Sequence, residues 1–112
     1  MEITQTRHGD VVVLALNGRL DAHTAPQAEA PLLAPIEQGA KQLLVDFSRV
    51  DYISSAGLRV LLVAARTISE NDGKIVLCGL KPAIKSVFDI AGFSSIFPIF
   101  ASQQEAFNHF MK

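Results

Sequence analysis

Residues 43–62 read LLVDFSRVDYISSAGLRVLL, and the order of patterns within them decides the fold. Leu43 to Phe47 is a short apolar run broken only by Asp46, which suits a strand covered on both faces. A polar connector is expected after Phe47. Ser54-Ser55-Ala56-Gly57 then leads into a run where Leu58, Leu61, Leu62 and Ala65 recur at i, i+3, i+4 and i+7, the period of a helix. A buried strand that passes through a connector into an apolar helix is one half of a parallel crossover.

The flanking sequence extends this pattern in both directions. Ile3 to Arg7, the turn His8-Gly9-Asp10 and Val11 to Leu16 predict an antiparallel hairpin, with β-branched residues crowding its second strand. Thr24 to Gln27, with Pro26 early, reads as the start of the first helix. Pro31 and Pro35 fall inside that helix. An interior proline costs about 3 kcal/mol in a regular helix, so a kink or break is expected there. Downstream, Asn71-Asp72-Gly73 is a turn before a strand at Ile75 to Leu77. Ile84, Val87, Phe88 and Ala91 repeat at helical spacing, and a short strand is expected near Phe97 to Phe100. Ser102-Gln103-Gln104-Glu105 carries the capping-box signature of a last helix that buries Ala106, Phe107 and Phe110. The predicted class is α/β: a mixed, mostly parallel sheet with an N-terminal antiparallel hairpin and helices packed against it.

The 112 residues suffice for one domain, residues 1–112, and not for two with cores of their own. Hydrophobic residues make up 49% and charged residues 19%, so a packed core is within reach. A net charge of −1 argues against a nucleic-acid partner, which would call for a basic face. Cys78 is the single cysteine, excluding an internal disulfide or a multi-cysteine zinc site, and a reducing cytoplasm fits that usage. Met1 to Asp10 is too polar for a signal peptide. The apolar runs Val11 to Leu16 and Val60 to Ala65 are far short of the roughly 20 residues that span a bilayer, so no membrane partner is expected.

The chemistry concentrates at Ser54-Ser55-Ala56-Gly57. A serine before a helix caps its open N–H groups. The same position suits a phosphate, which meets those donors and the positive end of the helix dipole. Gly57 removes a side chain where a backbone or a partner comes close. From Leu58 to Ala65 only Arg59 is charged, so the helix is either enclosed or shows an apolar patch to a partner.

Three segments carry a family resemblance. The first is Ser54-Ser55-Ala56-Gly57-Leu58, after its strand and connector. The second is Asn17-Gly18-Arg19-Leu20-Asp21-Ala22-His23-Thr24-Ala25. The third runs from Gly79-Leu80-Lys81-Pro82-Ala83-Ile84 to Phe88-Asp89-Ile90-Ala91-Gly92-Phe93. In this order they resemble the anti-sigma factor antagonists of the STAS-domain type along nearly the whole chain. The resemblance implies a non-enzymatic switch, with no cofactor and a free form that is a monomer. The phosphoacceptor would fall on Ser55, with Ser54 the alternative. The docking face would hold Asp21, Thr24, Ser54, Ser55, Gly57, Leu58 and Arg59. The partner would be an anti-sigma factor with a serine kinase fold of the histidine-kinase ATPase type, and a PP2C-type serine phosphatase would reverse the modification. One departure stands out: the family commonly has aspartate just before the acceptor, where this chain has Ser54. An unphosphorylated scaffold within a larger signalling complex is the alternative use of the same fold.

Other chemistries lack their parts. Asp46 sits where a receiver domain keeps its acceptor aspartate, but the first strand ends in His8-Gly9-Asp10 without the acidic cluster that holds Mg²⁺. It is expected instead at a strand end, ordering the connector. There is no nucleophile elbow, P-loop or dinucleotide fingerprint. His8, His23 and His109 are scattered without metal-ligand spacing. Asp46 and Asp51 flank a turn, and Cys78 reads as a small buried hydrophobe.

Overall fold

The computed structural model describes residues 1–111. Strand β1 (Glu2–His8) and strand β2 (Val11–Leu20) form the antiparallel hairpin, with His8 facing Val11 across a two-residue loop. Gly9 leads that loop with φ +62°, the backbone that such loops favour because it matches the twist of the strands. Then follow α1 (Ala25–Glu37), β3 (Gln42–Ile53), α2 (Ser55–Glu70), β4 (Lys74–Cys78), α3 (Pro82–Ala91), a 3₁₀ turn (Phe93–Ser95), β5 (Ile99–Phe100) and α4 (Gln103–Phe110). The sheet order is β1-β2-β3-β4-β5, antiparallel only between β1 and β2.

Each new parallel strand joins the same growing edge. Right-handed crossovers then place α1, α2 and α3 on one face of the sheet. The core on that face joins Val12, Leu14, Leu16, Leu43, Val45, Phe47, Ile75 and Leu77 of the strands to Leu32, Ile36, Leu58, Leu61, Ile68, Ile84 and Phe88 of the helices. Phe88 meets Phe47 edge to face at a 5.9 Å centroid separation, a favoured aromatic geometry. Among the described residues the opposite face is covered by α4. Ala106, Phe107 and Phe110, with Phe100, pack on Val11, Val13, Leu44, Val76 and Cys78. His8 stacks on Phe107 at 4.2 Å.

Three expectations need correction. Residues 25–37 are helical throughout, so Pro31 and Pro35 do not break α1. Ala25, Ala28, Leu32 and Ile36 are anchored in the core, and Pro35 is buried with them, so packing outweighs two missing intrahelical hydrogen bonds. The expected connector after Phe47 is strand: β3 runs on to Ile53, paired with β2 as far as Leu20↔Ile53. Between Ala15 and Leu20 the register slips twice, each time by one extra residue in β3, the signature of β-bulges. The Asp46 Oδ1 accepts the Ser48 N–H at 2.9 Å beside the first slip, and its Oδ2 accepts from Gln103 Nε2 at 2.7 Å. Asp46 therefore lies inside the strand, not at its end.

Candidate functional site

The paired β2 and β3 end side by side, and both candidate loops leave from that end. Leu20 is the last residue of β2, and its carbonyl accepts the Ser54 N–H at 2.9 Å and the Ser54 hydroxyl at 3.3 Å. That one carbonyl ties the Asp21 loop to the start of α2. Nothing in a sequence marks a backbone carbonyl as such a junction; only the β2–β3 register does.

The two serines have separate jobs. Ser54 is the N-cap of α2, in extended backbone, and its Oγ accepts the Gly57 N–H at 3.3 Å. Ser55 is the first helical residue, exposed, and its hydroxyl makes no hydrogen bond among the described residues. Serine caps about as well as aspartate, so the serine in place of the family's usual acid retains the cap. The N–H groups of the first helical turn have no intrahelical acceptors, and a phosphate on Ser55 Oγ would lie next to them.

Gly57 is buried and close-packed. A Cβ there would come within 2.8 Å of both Leu20 Cγ and the Leu20 carbonyl oxygen, and within 3.0 Å of Ile53 Cγ1. The close approach that the sequence suggests is thus to the protein's own backbone. Leu58 is also inside, only 8% exposed. Gly57 and Leu58, both expected on the docking face, are thus buried at the start of α2. Arg59 is exposed on the same side as Ser55, and Leu62, Val63 and Ala65 of α2 are half-buried. The helix that is apolar all round is largely enclosed by the sheet and α1.

The Asp21 loop is internally wired. Asp21 Oδ1 accepts the N–H groups of His23 (3.0 Å) and Thr24 (2.9 Å). The Thr24 hydroxyl accepts the Asp21 N–H at 2.9 Å and donates to the Arg19 carbonyl at 2.6 Å. Foremost the Thr24 N–H, then that of His23, holds the Asp21 carboxyl below its ordinary range, helped by the Arg19 charge. Asp21 is half-exposed, and His23 points to solvent. Around the rim, the Arg19 guanidinium lies 3.7 Å from Asp21 and 4.4 Å from the centre of the Tyr52 ring. Lys81 pairs with Asp51, which lowers the Asp51 pKa. Tyr52, 41% exposed, is a rim residue that the sequence did not single out, hidden by the bulged strand.

Asp21, Thr24, Ser54, Ser55 and Arg59 are therefore brought to one end of the sheet. The histidines lie on different elements: His8 stacks on Phe107 of α4, His109 of α4 lies beside Phe100 of β5, and His23 is in the loop after β2. Among the described residues, no three His, Cys, Asp or Glu side chains are grouped to hold a metal, and no helix is long and apolar enough to cross a membrane. Cys78 is fully buried, and burial, with the Asp46 charge beside it, pushes its thiol up to about 12.

Comparison with known proteins gives a consistent result. The STAS domain model matches residues 2–106. BtrV of Bordetella bronchiseptica, named among the anti-sigma factor antagonists, is 41% identical over 106 residues, covering 95% of this chain and 91% of that protein. An anti-sigma factor antagonist from Mycobacterium paratuberculosis superposes with a TM-score of 0.91 at 22% identity, covering 99% of this chain and 94% of its own. The Bacillus cell fate determinant SpoIIAA in its phosphorylated form superposes with a TM-score of 0.75 at 25% identity, over 96% of this chain and 98% of the other.

Proposed function

The chain belongs to the STAS-domain family of anti-sigma factor antagonists, and from that membership we propose a phosphorylation-controlled partner switch with Ser55 as the acceptor. The observation that carries the reading is the division of labour between the serines. Ser54 is spent on the cap, whereas Ser55 is exposed and its side chain without a hydrogen bond among the described residues, at the first position of a sixteen-residue helix. That a relative of the same fold is known in a phosphorylated form supports it.

In its unmodified state the protein docks the Asp21–Thr24 loop, Ser55 and the Arg59 side of α2 onto an anti-sigma factor, releasing a sigma factor or another client. The partner is a serine kinase of the histidine-kinase ATPase fold, acting in the cytoplasm. Ser55 Oγ attacks the γ-phosphorus of ATP; the new O–P bond forms as the bond to ADP breaks, and the hydroxyl proton passes to the kinase or to water. A PP2C-type phosphatase hydrolyses the ester back to serine and inorganic phosphate. The phosphoserine adds about −1.5 to −2 charge at the docking surface. A loss of about 2–4 kcal/mol there weakens binding by about 30- to 1000-fold.

The test is to incubate the protein with its kinase partner and ATP and to locate the phosphate by peptide mass spectrometry. Phosphate should appear on the Ser54/Ser55 peptide, vanish in Ser55→Ala and persist in Ser54→Ala. Ser55→Ala should stay bound to the partner in the presence of ATP, and Ser55→Glu should bind poorly. A partner that binds yet never transfers phosphate would sink the switch and leave a constitutive scaffold.

A further inference from the structure

We propose that Arg59 is the intramolecular partner of the phosphoryl group on Ser55, so that modification adds an anion and withdraws a cation from the docking face together. The inference rests on Ser55 being the acceptor and concerns how the modified site is held. Ser55 and Arg59 are four residues apart in α2 and both exposed. Side chains at this spacing lie one above the other, with Cβ atoms about 6 Å apart. An anion at i with a cation at i+4 is the better of the two orientations. The guanidinium fork also matches the oxygens of a phosphate, which it can grip through two parallel N–H donors.

The second observation is the charge inventory at this end of the fold. Arg19 is engaged by Asp21 and Tyr52 and Lys81 by Asp51, while Arg49, in the bulged part of β3 rather than on α2, has no ion pair among the described residues. Arg59 has no acidic partner and no side-chain hydrogen bond among the described residues. It sits in the second turn of α2, one turn beyond Ser55. No acid occupies the first turn of α2. A phosphate on Ser55 supplies the acid that this turn lacks. In the unmodified protein Arg59 is open to an acidic group of the docking partner; in the phosphoprotein it is occupied from within.

The experiment uses the full chain with phosphoserine incorporated at position 55 during synthesis, so that no kinase is required. Phosphorus NMR then follows the second ionisation of the phosphate, about pH 6 for phosphoserine. The native arginine should hold that pKa lowest. Arg59→Gln should raise it by about 0.3 units, and Arg59→Lys by less, since lysine keeps the charge without the fork. The dipole of α2 acts equally in all three and cancels. Identical titrations for the native and Arg59→Gln proteins overturn the proposal. Unmodified Arg59→Gln should melt like the native protein, which separates this effect from a general loss of structure. Failure of a kinase to modify Ser55 would appear in the mass spectrum, leaving the titration as an independent reading of the pair.

Discussion

Replacing Gly57 with alanine tests whether the start of α2 is held by close packing on β2. On an open helix the change would help: alanine is favoured over glycine by about 1 kcal/mol in a helix interior. Here the added methyl would lie within 2.8 Å of the Leu20 carbonyl oxygen and of Leu20 Cγ, and within 3.0 Å of Ile53 Cγ1. The carbonyl cannot step aside cheaply, because it accepts both the backbone and the hydroxyl of Ser54. Overpacking of this kind costs about 3 kcal/mol at its upper end. Less the gain in propensity, the net loss is about 2 kcal/mol. For a domain of this length each kcal/mol moves the melting temperature by about 4 °C, so a fall of about 8 °C is expected. Calorimetry or circular-dichroism melts of Gly57→Ala against the native protein measure it directly. A variant that melts at or above the native temperature would refute the packing argument, because propensity alone would then account for the residue.

Three further outcomes follow from the same geometry. Ser54→Ala should cost about 1 kcal/mol through loss of the cap while Ser55→Ala stays within about 0.5 kcal/mol, both by urea titration; equal costs would mean that the serines share the cap. The Asp21 carboxyl has a depressed folded pKa, so its contribution is present above the unfolded value of about 3.9 and is lost as pH falls through the folded one. The stability gap between native protein and Asp21→Ala should thus be open at pH 7 and narrow below about pH 4; a gap constant down to pH 2 would exclude the charged hydrogen bonds as its source. Cys78, buried and with its thiol pushed up to about 12, should ignore an aromatic disulfide reagent at pH 8 and react at once in denaturant. Rapid labelling of the native protein would contradict the packing of α4.

What the sequence conveys and what it conceals follow physical lines. The hairpin, the buried strands and the last three helices announce themselves because Val11 to Leu16 and Leu43 to Phe47 are short apolar runs, the Leu58 and Ile84 repeats keep the helical period, and α4 opens on its capping box. The second half of β3 does not. Its inward residues Phe47, Val50 and Ile53 are three apart because each bulge inserts a residue, and that spacing belongs to neither strand nor helix. The prolines of α1 mislead for another reason: local cost is visible in sequence, while the packing that offsets it is long-range. At the site, the motif draws attention to two adjacent serines, and neighbours in sequence are indistinguishable as caps until backbone angles are known. Gly57 and Leu58 were legible as important, but whether they face a partner or the core depends on how closely Leu20 approaches.

The one-sided placement of α1, α2 and α3 has a bearing on how the chain is made. Every strand pairs with its predecessor, so from the amino end each β–α unit can dock as it is synthesised, without waiting for a distant segment. The second face is different. Val11, Val13, Leu44, Val76 and Cys78 are complete as a surface once β4 has formed, yet their cover, α4, emerges only after them. A nascent or nicked chain ending near Ala101 would carry an apolar sheet face with nothing on it, and should bind a hydrophobic dye strongly where the full chain does not. Synthesis therefore passes through an interval in which an otherwise assembled sheet is sticky, and the eight-residue α4 is what closes it.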